Sequence, residues 1–254
     1  MSYGDVHRRF LKALMANNNM IAQNKALELY LDCRDGTADE VSPETHTEKT
    51  IVKFIDQVNE KIEPLNLSIK LVTCEATDKK FFVLHAMHEN DLTRLVAARQ
   101  WGRNERTVLK TAIKTIVSSP NGRVSKAACA MSCADLPEKI KREDLTKVLQ
   151  KLIHENWLIE LNNQIYVGPR ALAEMKKYLS DEFEEKASAC KLCKELTIRG
   201  SSCPSSCGVK VHQGCLQAFF SKAKNRKCMG CKKPWPEELV DKQDALSDTE
   251  EIEY

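Results

Sequence analysis

Apolar residues recur at helical spacing in three stretches near the start of the chain. These stripes predict helices over residues 6–15, 26–30 and 51–62. Pro64 ends the third helix, and the period then changes to two, because Leu67, Ile69 and Leu71 alternate with polar residues. A second apolar run at 81–84 predicts the returning strand. Three helices followed by a β-hairpin are the outline of a winged helix.

The same outline is repeated in the next part of the chain. The elements predicted there are helices over 92–96, 108–116, 126–131 and 145–153, strands over 157–159 and 165–167, and a last helix over 172–183. Ser125 can cap the third of these helices, and Asn162 and Asn163 favour a tight turn between the strands. The two copies share this outline rather than their residues.

A run of cysteines with one histidine is the strongest chemical signal in the chain. Its eight potential metal ligands are, in order, Cys190, Cys193, Cys203, Cys207, His212, Cys215, Cys228 and Cys231. Zinc prefers four such ligands in a tetrahedron, and two ligands about one turn apart bind the same ion from a tight knuckle. Eight ligands therefore predict two closed sites, each holding a structural Zn²⁺.

The way in which the ligand pairs share an ion decides the fold of this segment. In a cross-brace, the first and third pairs form one site, and the second and fourth pairs form the other. Site 1 is then Cys190, Cys193, His212 and Cys215, and site 2 is Cys203, Cys207, Cys228 and Cys231. The spacing between the pairs resembles that of RING-type fingers and favours the cross-brace, with sequential pairing as the open alternative. A disulfide framework is disfavoured, because nothing else in the chain is typical of a secreted protein.

Together these patterns predict a mainly α fold with small β-hairpins, in which tandem winged-helix domains are followed by a cross-brace, RING-like finger with two zinc ions. The predicted segments are a first winged-helix domain at 1–88, a second at 89–186, the finger at 187–236 and an acidic disordered tail at 237–254. The acidic stretch from Asp181 to Ala189 is expected to be a flexible bridge between the second domain and the finger.

The composition narrows the class of protein. The 254 residues are 42% hydrophobic and 30% charged, with a formal net charge of +3. No apolar signal sequence opens the chain, and no run approaches the roughly 18 apolar residues of a membrane span. Thiols held as zinc ligands predict a reducing compartment, the cytosol or the nucleus. We therefore expect a protein that has no contact with membranes.

The charge pattern argues against sequence-specific DNA binding by the winged helices. DNA readout needs Lys and Arg on both the recognition helix and the wing. In the second copy, Lys147 and Lys151 are interspersed with Asp144 and Glu155, and the wing over 160–164 has no cation. In the finger, the many basic residues partly neutralise thiolate clusters with a net charge of about −3. We expect DNA binding that is at most weak and non-specific, and protein binding instead.

Several local stretches, together with the order of the domains, resemble one known family. They are Val6-His-Arg-Arg-Phe-Leu11, Val148-Leu-Gln-Lys151, Asn156-Trp-Leu-Ile-Glu160, Cys190-x-x-Cys193, residues 202–212 and Trp235. Up to about residue 236, the chain resembles the non-SMC element 1 family. Its members are the RING-bearing subunits of the five/six-type structural-maintenance-of-chromosomes complex. The finger is the specific part of the match, because winged helices alone would suit many proteins.

The resemblance implies a protein of the nucleus and the chromosome that acts in DNA repair and recombination as a RING-type ubiquitin ligase. It also implies three partners: a MAGE-family winged-helix subunit, a kleisin subunit and a ubiquitin-conjugating enzyme. The residues that match the contacts of RING ligases with that enzyme are Leu192, Phe219 and Lys232. Met229 stands where a proline usually follows the seventh ligand, so the expected activity is weak alone and stimulated by a partner.

Two other functions stay open at this point. The order of the ligands also suits a PHD finger, a reader of histone tails, although Arg226 occupies a place where that fold typically carries tryptophan and no aromatic cage is apparent. The other is a non-catalytic scaffold. A RING ligase needs no catalytic residue of its own, since it aligns the ubiquitin thioester carried by the conjugating enzyme.

Overall fold

The computed structural model describes residues 3–34, 48–87, 101–136, 140–223 and 225–236. The predicted helix over 92–96 and the predicted disordered tail at 237–254 lie outside these ranges. Every helix within them is too short or too polar to cross a lipid bilayer. The described chain is mainly helical with small antiparallel sheets, as the apolar pattern predicted.

The first winged helix follows the predicted order with one additional strand. Its elements are α1 (Asp5–Ala16), β1 (Met20–Ala22), α2 (Gln23–Arg34), α3 (Glu48–Ile62), β2 (Leu67–Thr73) and β3 (Lys80–Ala86). The strands pair antiparallel in the order β1-β3-β2, with Met20 opposite Val83 and Ile69 opposite Leu84. The apolar pattern does not predict β1, because a strand of three residues is too short to show a period.

The second winged helix repeats this arrangement. Its elements are α4 (Arg103–Ser118), β4 (Val124–Ser125), α5 (Lys126–Ala134), α6 (Arg142–His154), β5 (Leu158–Leu161), β6 (Gln164–Val167), α7 (Pro169–Glu174) and α8 (Lys176–Glu182), with strand order β4-β6-β5. Ser125 Oγ accepts a hydrogen bond from Ala128 N at 3.1 Å, which confirms the predicted cap. The prediction of one last helix was wrong, because Met175 (φ −106°, ψ 18°) separates α7 from α8.

The two winged helices share a hydrophobic core through the sheet of the first. One face of this sheet, with Phe82 and Leu84, packs on the helices of the first domain. The opposite face, with Phe81 and Val83, packs with residues of the second domain. Burial on both faces explains why residues 81–84 form a continuous apolar run instead of alternating with polar residues.

The finger contains short strands, one helix and a small core of its own. Its elements are β7 (Ser188–Ala189), β8 (Leu196–Thr197), β9 (Ser201–Ser202), β10 (Lys210–Val211) and α9 (Gln213–Phe220). The strands form two antiparallel pairs, β7-β8 and β9-β10. The core packs Val211, Leu216, Phe220 and Trp235 around the cysteines.

The bridge before the finger is in close contact with the second domain. Ala187 is buried, and Lys186 Nζ donates a hydrogen bond to Ser118 O at the end of α4. The Phe183 ring makes an edge-on contact with the Tyr178 ring, with 6.1 Å between the ring centres. The expectation of a flexible bridge overlooked the apolar residues at its two ends, which bury themselves against the helices.

Candidate metal centres and the finger groove

The eight ligands named from the sequence lie in two groups of four. Within each group, the ligand atoms are all within 4.8 Å of one another. One group is site 1, with Cys190, Cys193, His212 and Cys215, and the other is site 2, with Cys203, Cys207, Cys228 and Cys231. This is the grouping of a cross-brace, since sequential pairing would join the first two cysteine pairs in one site.

The distances within each group fit a tetrahedral zinc ion. Sulfur atoms at about 2.3 Å from one zinc are about 3.8 Å from each other. In site 2, the Sγ atoms of Cys203 and Cys231 are 3.7 Å apart, and so are those of Cys207 and Cys228. In site 1, His212 Nδ1 lies 3.2 Å from Cys193 Sγ. All eleven cysteines are free thiols, so the finger provides two zinc-binding clusters and no disulfides.

A hydrogen-bonded backbone turn shapes three of the knuckles, over four residues at Cys190 and Cys228 and over three at Cys203. Lys194 N donates to Cys190 O, Ser206 N donates to Cys203 O and Lys232 N donates to Cys228 O, at 2.9, 2.9 and 3.0 Å. Lys194, Ser206 and Lys232 have φ values of 66°, 51° and 63°. This left-handed conformation is uncommon for residues other than glycine and bends the chain sharply enough to bring paired sulfurs together.

A hydrogen bond between two cysteines of site 1 changes the pKa values of their thiols. A hydrogen bond from Cys215 lowers the pKa of the Cys193 thiol to about 3 against the opposing effect of burial, and His212 adds to this shift. The same interaction raises the pKa of Cys215. The lowered pKa favours the thiolate of Cys193, which is the form of cysteine that binds zinc.

Two groups orient the ring of His212 from the side opposite to the cysteines. His212 Nε2 is 3.0 Å from Leu196 O and 3.7 Å from Glu75 Oε1. Because Nε2–H donates to a carbonyl, Nδ1 is the nitrogen with the free lone pair, and it faces the sulfurs. Glu75 belongs to the turn between β2 and β3 in the first winged helix.

Two of the three residues predicted to contact a conjugating enzyme lie together. Leu192 and Phe219 line a groove of about 520 Å³, with Ala218, Lys222 and Ala223. Phe219 is 38% exposed, whereas the neighbouring Phe220 is buried in the finger core. Lys232 is exposed but is not among the residues that line this groove.

Glu75 is the main residue of the site that reasoning from the sequence missed. The turn between β2 and β3 was treated as a polar wing, yet Glu75 lies between the buried residues Cys74 and Ala76. Two small apolar residues around one carboxylate are an unusual composition for a solvent-exposed turn, and this signal could have indicated a packed tip.

Comparison with known families assigns the chain to one of them. A sequence model described as "Nse1 non-SMC component of SMC5-6 complex" matches residues 7–142, which is more than half of the chain. The chain belongs to the Nse1 family. A second model, described as a RING-like domain, matches residues 190–231 of this Nse1-family chain, which are the residues from the first zinc ligand to the last. The resemblance seen in the sequence is thereby confirmed.

Individual relatives agree with this assignment. The human protein "Non-structural maintenance of chromosomes element 1 homolog" is 26% identical over 236 residues, covering 92% of this Nse1-family chain and 85% of its own length. The protein of the same description from Xenopus laevis is 25% identical over 237 residues, covering 92% and 84%. The Drosophila melanogaster relative is 32% identical over 96 residues, covering 38% and 40%.

A solved structure has the same fold. A chain of the structure described as "Nse1-Nse3-Nse4 complex" superposes with a TM-score of 0.75 at 24% identity. The match covers 93% of this Nse1-family chain and 98% of the other. The likeness therefore extends over the winged helices and the finger together, as the predicted fold class required.

Proposed function

We propose that this Nse1-family chain is a RING-type ubiquitin-ligase subunit of a chromosome-maintenance complex that acts in DNA repair and recombination in the nucleus. The observation that carries the activity is the groove between Leu192 and Phe219 on a cross-braced finger. A ligase of this class aligns the thioester of a bound conjugating enzyme with an acceptor lysine. It needs a rigid apolar platform rather than a nucleophile, and both zinc clusters use four protein ligands as structural sites do.

The two sides of the groove are held by the ligands of site 1. Leu192 lies between Cys190 and Cys193 in the first knuckle. Phe219 follows Cys215 by four residues on α9, so the two side chains lie on the same face of that helix. Zinc bound in site 1 would therefore fix the separation of the two apolar residues. An exposed aromatic residue beside such a groove is typical of a surface that binds another protein.

Two other positions of the expected contact surface for the conjugating enzyme, Met229 and Lys232, match the RING pattern less well. Met229 packs against the finger core at the position where a proline would stiffen the loop. Lys232 is exposed and would contact ubiquitin on the conjugating enzyme rather than complete the groove. We propose that the chain alone transfers ubiquitin weakly and that a partner packed on the finger or the adjacent helices increases the rate, because orientation is the main contribution of the ligase.

The proposed partners are a MAGE-family winged-helix subunit and a kleisin. The likeness to a chain of the Nse1-Nse3-Nse4 complex supports them, with Nse3 as the MAGE-type and Nse4 as the kleisin subunit. Met15 on α1 and Val52 on α3 are 55% and 42% exposed, so the first domain offers apolar surface for such a contact. We propose that the winged helices, within boundaries at residues 88 and 186, bind protein and contact DNA at most weakly and non-specifically.

Discharge of ubiquitin from a charged conjugating enzyme tests the activity. We expect slow discharge with the full chain and faster discharge with the chain bound to its MAGE-type partner. Leu192→Ala should lower the stimulated rate by roughly tenfold, since truncating an apolar anchor in an interface typically costs more than 1 kcal/mol. Lys191→Ala is the matched control, because Lys191 is exposed in the same knuckle and is not among the residues that line the groove.

A scaffold without ligase activity is the second candidate, favoured by Met229 and by the position of Lys232 outside the groove. No discharge by the complex above that of the conjugating enzyme alone would contradict the ligase proposal and support the scaffold. Zinc content is measured for each variant, so that loss of the finger is not mistaken for loss of the groove.

A further inference from the structure

The turn between β2 and β3, which we call the first wing (residues 74–79), packs against the finger. Its Glu75 side chain contacts residues 197–199 and His212, and its Asp78 side chain contacts Gly214. These residues lie in or beside β8 and at the start of α9. The tip of the first wing is therefore an internal contact surface within this chain.

Within the part of the chain that the structure describes, the hydrogen bonds to the Glu75 side chain come from the finger. Its carboxylate, with a side chain only 6% exposed, receives Thr197 Oγ1 at 2.5 Å and Ile198 N at 2.9 Å. Arg199 N donates to the same group at 3.2 and 3.3 Å. A buried carboxylate is costly unless donors surround it. The finger supplies those donors, so the carboxylate can stay buried and charged only while the finger is docked against the first wing.

Arg199 extends this contact to the second winged helix. Its Nη1 donates to the backbone oxygen of Glu75, and its Nε donates to Asn121 O at 3.1 Å. The guanidinium also lies over the Tyr166 ring, 4.8 Å from its centre. One finger residue thus contacts both winged-helix domains, which together we call the body. Its positive charge offsets the buried carboxylate.

A second carboxylate of the first wing meets the helix that carries Phe219. Asp78 Oδ1 accepts a hydrogen bond from Gly214 N, in the first turn of α9, at 3.4 Å. Negative charge near the N-terminus of a helix is stabilising. The contact is longer and more exposed than those of Glu75, so Glu75 makes the larger contribution.

We propose that Glu75 is a positioning residue for site 1. By holding the backbone of Ile198 and Arg199, it keeps the neighbouring Leu196 carbonyl aimed at His212 Nε2, and its own Oε1 lies 3.7 Å from that nitrogen. Groups behind a metal-bound histidine fix its tautomer and ring orientation, and their loss typically lowers metal affinity about 10–100-fold. The first wing thereby sets the orientation of the finger and slows the loss of zinc from site 1.

Glu75→Gln in the full zinc-loaded chain is the test. The substitution keeps the shape of the side chain but replaces one accepting oxygen with an amide NH₂. That group would face the Thr197, Ile198 and Arg199 donors, from which the carboxylate accepts hydrogen bonds. The cysteines are alkylated during incubation with a chelator, and mass spectrometry follows each peptide. We expect Cys193 and Cys215 to react about tenfold faster, with Cys207 and Cys231 unchanged. Glu60→Gln, at an exposed position on α3, is the matched control and should change neither site.

Nitrogen-15 NMR of the His212 ring supplies a reading that a general loss of stability would not reproduce. In the wild-type chain we expect an Nε2–H signal that exchanges slowly with solvent. In Glu75→Gln we expect that signal to shift and to exchange faster. An unchanged ring signal with unchanged site 1 alkylation would overturn the proposal, and so would equal acceleration of both sites. If Glu75→Gln does not fold, the wild-type chain still tests the proposal. An Nε2–H of His212 that exchanges freely with solvent in the wild-type chain would overturn it.

Discussion

Sites 1 and 2 have the same pattern of ligand burial but different surroundings. In chain order, the ligands of each site are buried, exposed, buried and half-buried. Site 1 contacts the first winged helix, because Glu75 Oε1 of the first wing lies 3.7 Å from His212 Nε2. The described contacts of site 2 stay inside the finger, such as the hydrogen bond from Gly230 N to Cys228 Sγ at 3.4 Å. Burial of the ligands alone therefore does not reveal how strongly a zinc site is coupled to the rest of a fold.

The comparison separates two roles that zinc can have in one finger. Site 1 joins the groove between Leu192 and Phe219 to the winged helices. Site 2 closes the distal part of the finger around Val209, which is close to Gly230. We expect loss of site 1 to weaken both the finger and its docking on the body, and loss of site 2 to remain local.

The largest effect is expected from Cys190→Ser, which removes a fully buried ligand of site 1. The finger should unfold and the body should lose the contacts made by residues 197–199. We expect the melting temperature of the winged-helix transition to fall by about 5 °C, equivalent to about 2 kcal/mol for a body of this size. Calorimetry on the full chain measures this, and an unchanged transition would mean that site 1 is not coupled to the body.

Cys207→Ser is the matched substitution in site 2. Zinc content should fall from two ions to one per chain, because only site 1 keeps four ligands. We expect the winged-helix transition to shift by less than about 2 °C, since no described contact joins the site 2 ligands to the body. Native mass spectrometry and calorimetry together check this, and a fall as large as that of Cys190→Ser would contradict the comparison.

Two glycines test the same contrast at the boundary between the finger and the winged helices and inside the finger. Gly122 and Gly208 have φ values of 61° and 78°, so an alanine at either costs about 1 kcal/mol in backbone strain. A Cβ at Gly122 would lie 2.5 Å from Arg199 Cγ, whereas a Cβ at Gly208 would meet nothing within 4 Å. We expect Gly122→Ala to destabilise the chain by about 2 kcal/mol and Gly208→Ala by about 1 kcal/mol in denaturant titrations. Equal losses of unfolding free energy in the two variants would show that the Arg199 side chain moves away from the new methyl group at no cost.

The last effect is confined to acidic pH and concerns the pH dependence of the body. Burial lowers the pKa of His85 from 6.5 to about 4, and the nearby charge of Lys70 adds to the shift. Because the folded-state pKa is the lower one, His85 contributes stability that is complete above pH 6.5 and is lost as the pH falls through 4. We expect His85→Gln to flatten the stability curve between pH 6.5 and 4 by about 2 kcal/mol, which is less than the full pKa shift would give because solvent screens the partly exposed ring.

Denaturant titrations across this range, with His154→Gln as the exposed control, test the assignment to His85. The difference between each variant and the wild type cancels the protonation of the zinc ligands, which is common to all three proteins. An equal flattening in both variants would remove His85 as the cause.

Local features of this protein could be predicted from its sequence, and long-range features could not. The ligand spacing indicated both zinc clusters, and the capping residue Ser125 was visible because its partner Ala128 is three residues away. Glu75 and Thr197 are 122 residues apart, so no periodicity connects them. The strands β1 and β4 are two or three residues long and form by pairing with longer strands, which leaves no period to read.

The order in which the two zinc ions leave tests the central claim that site 1 belongs to the body and site 2 to the finger alone. The wild-type chain is titrated with a chelator, while cysteine alkylation and amide hydrogen exchange are followed by mass spectrometry. We predict that Cys207 and Cys231 become reactive first and that the amides of Ile198 and Arg199 stay protected until Cys193 and Cys215 react. Simultaneous loss of both ions, or loss of protection at residues 198–199 with the first ion, would contradict the account.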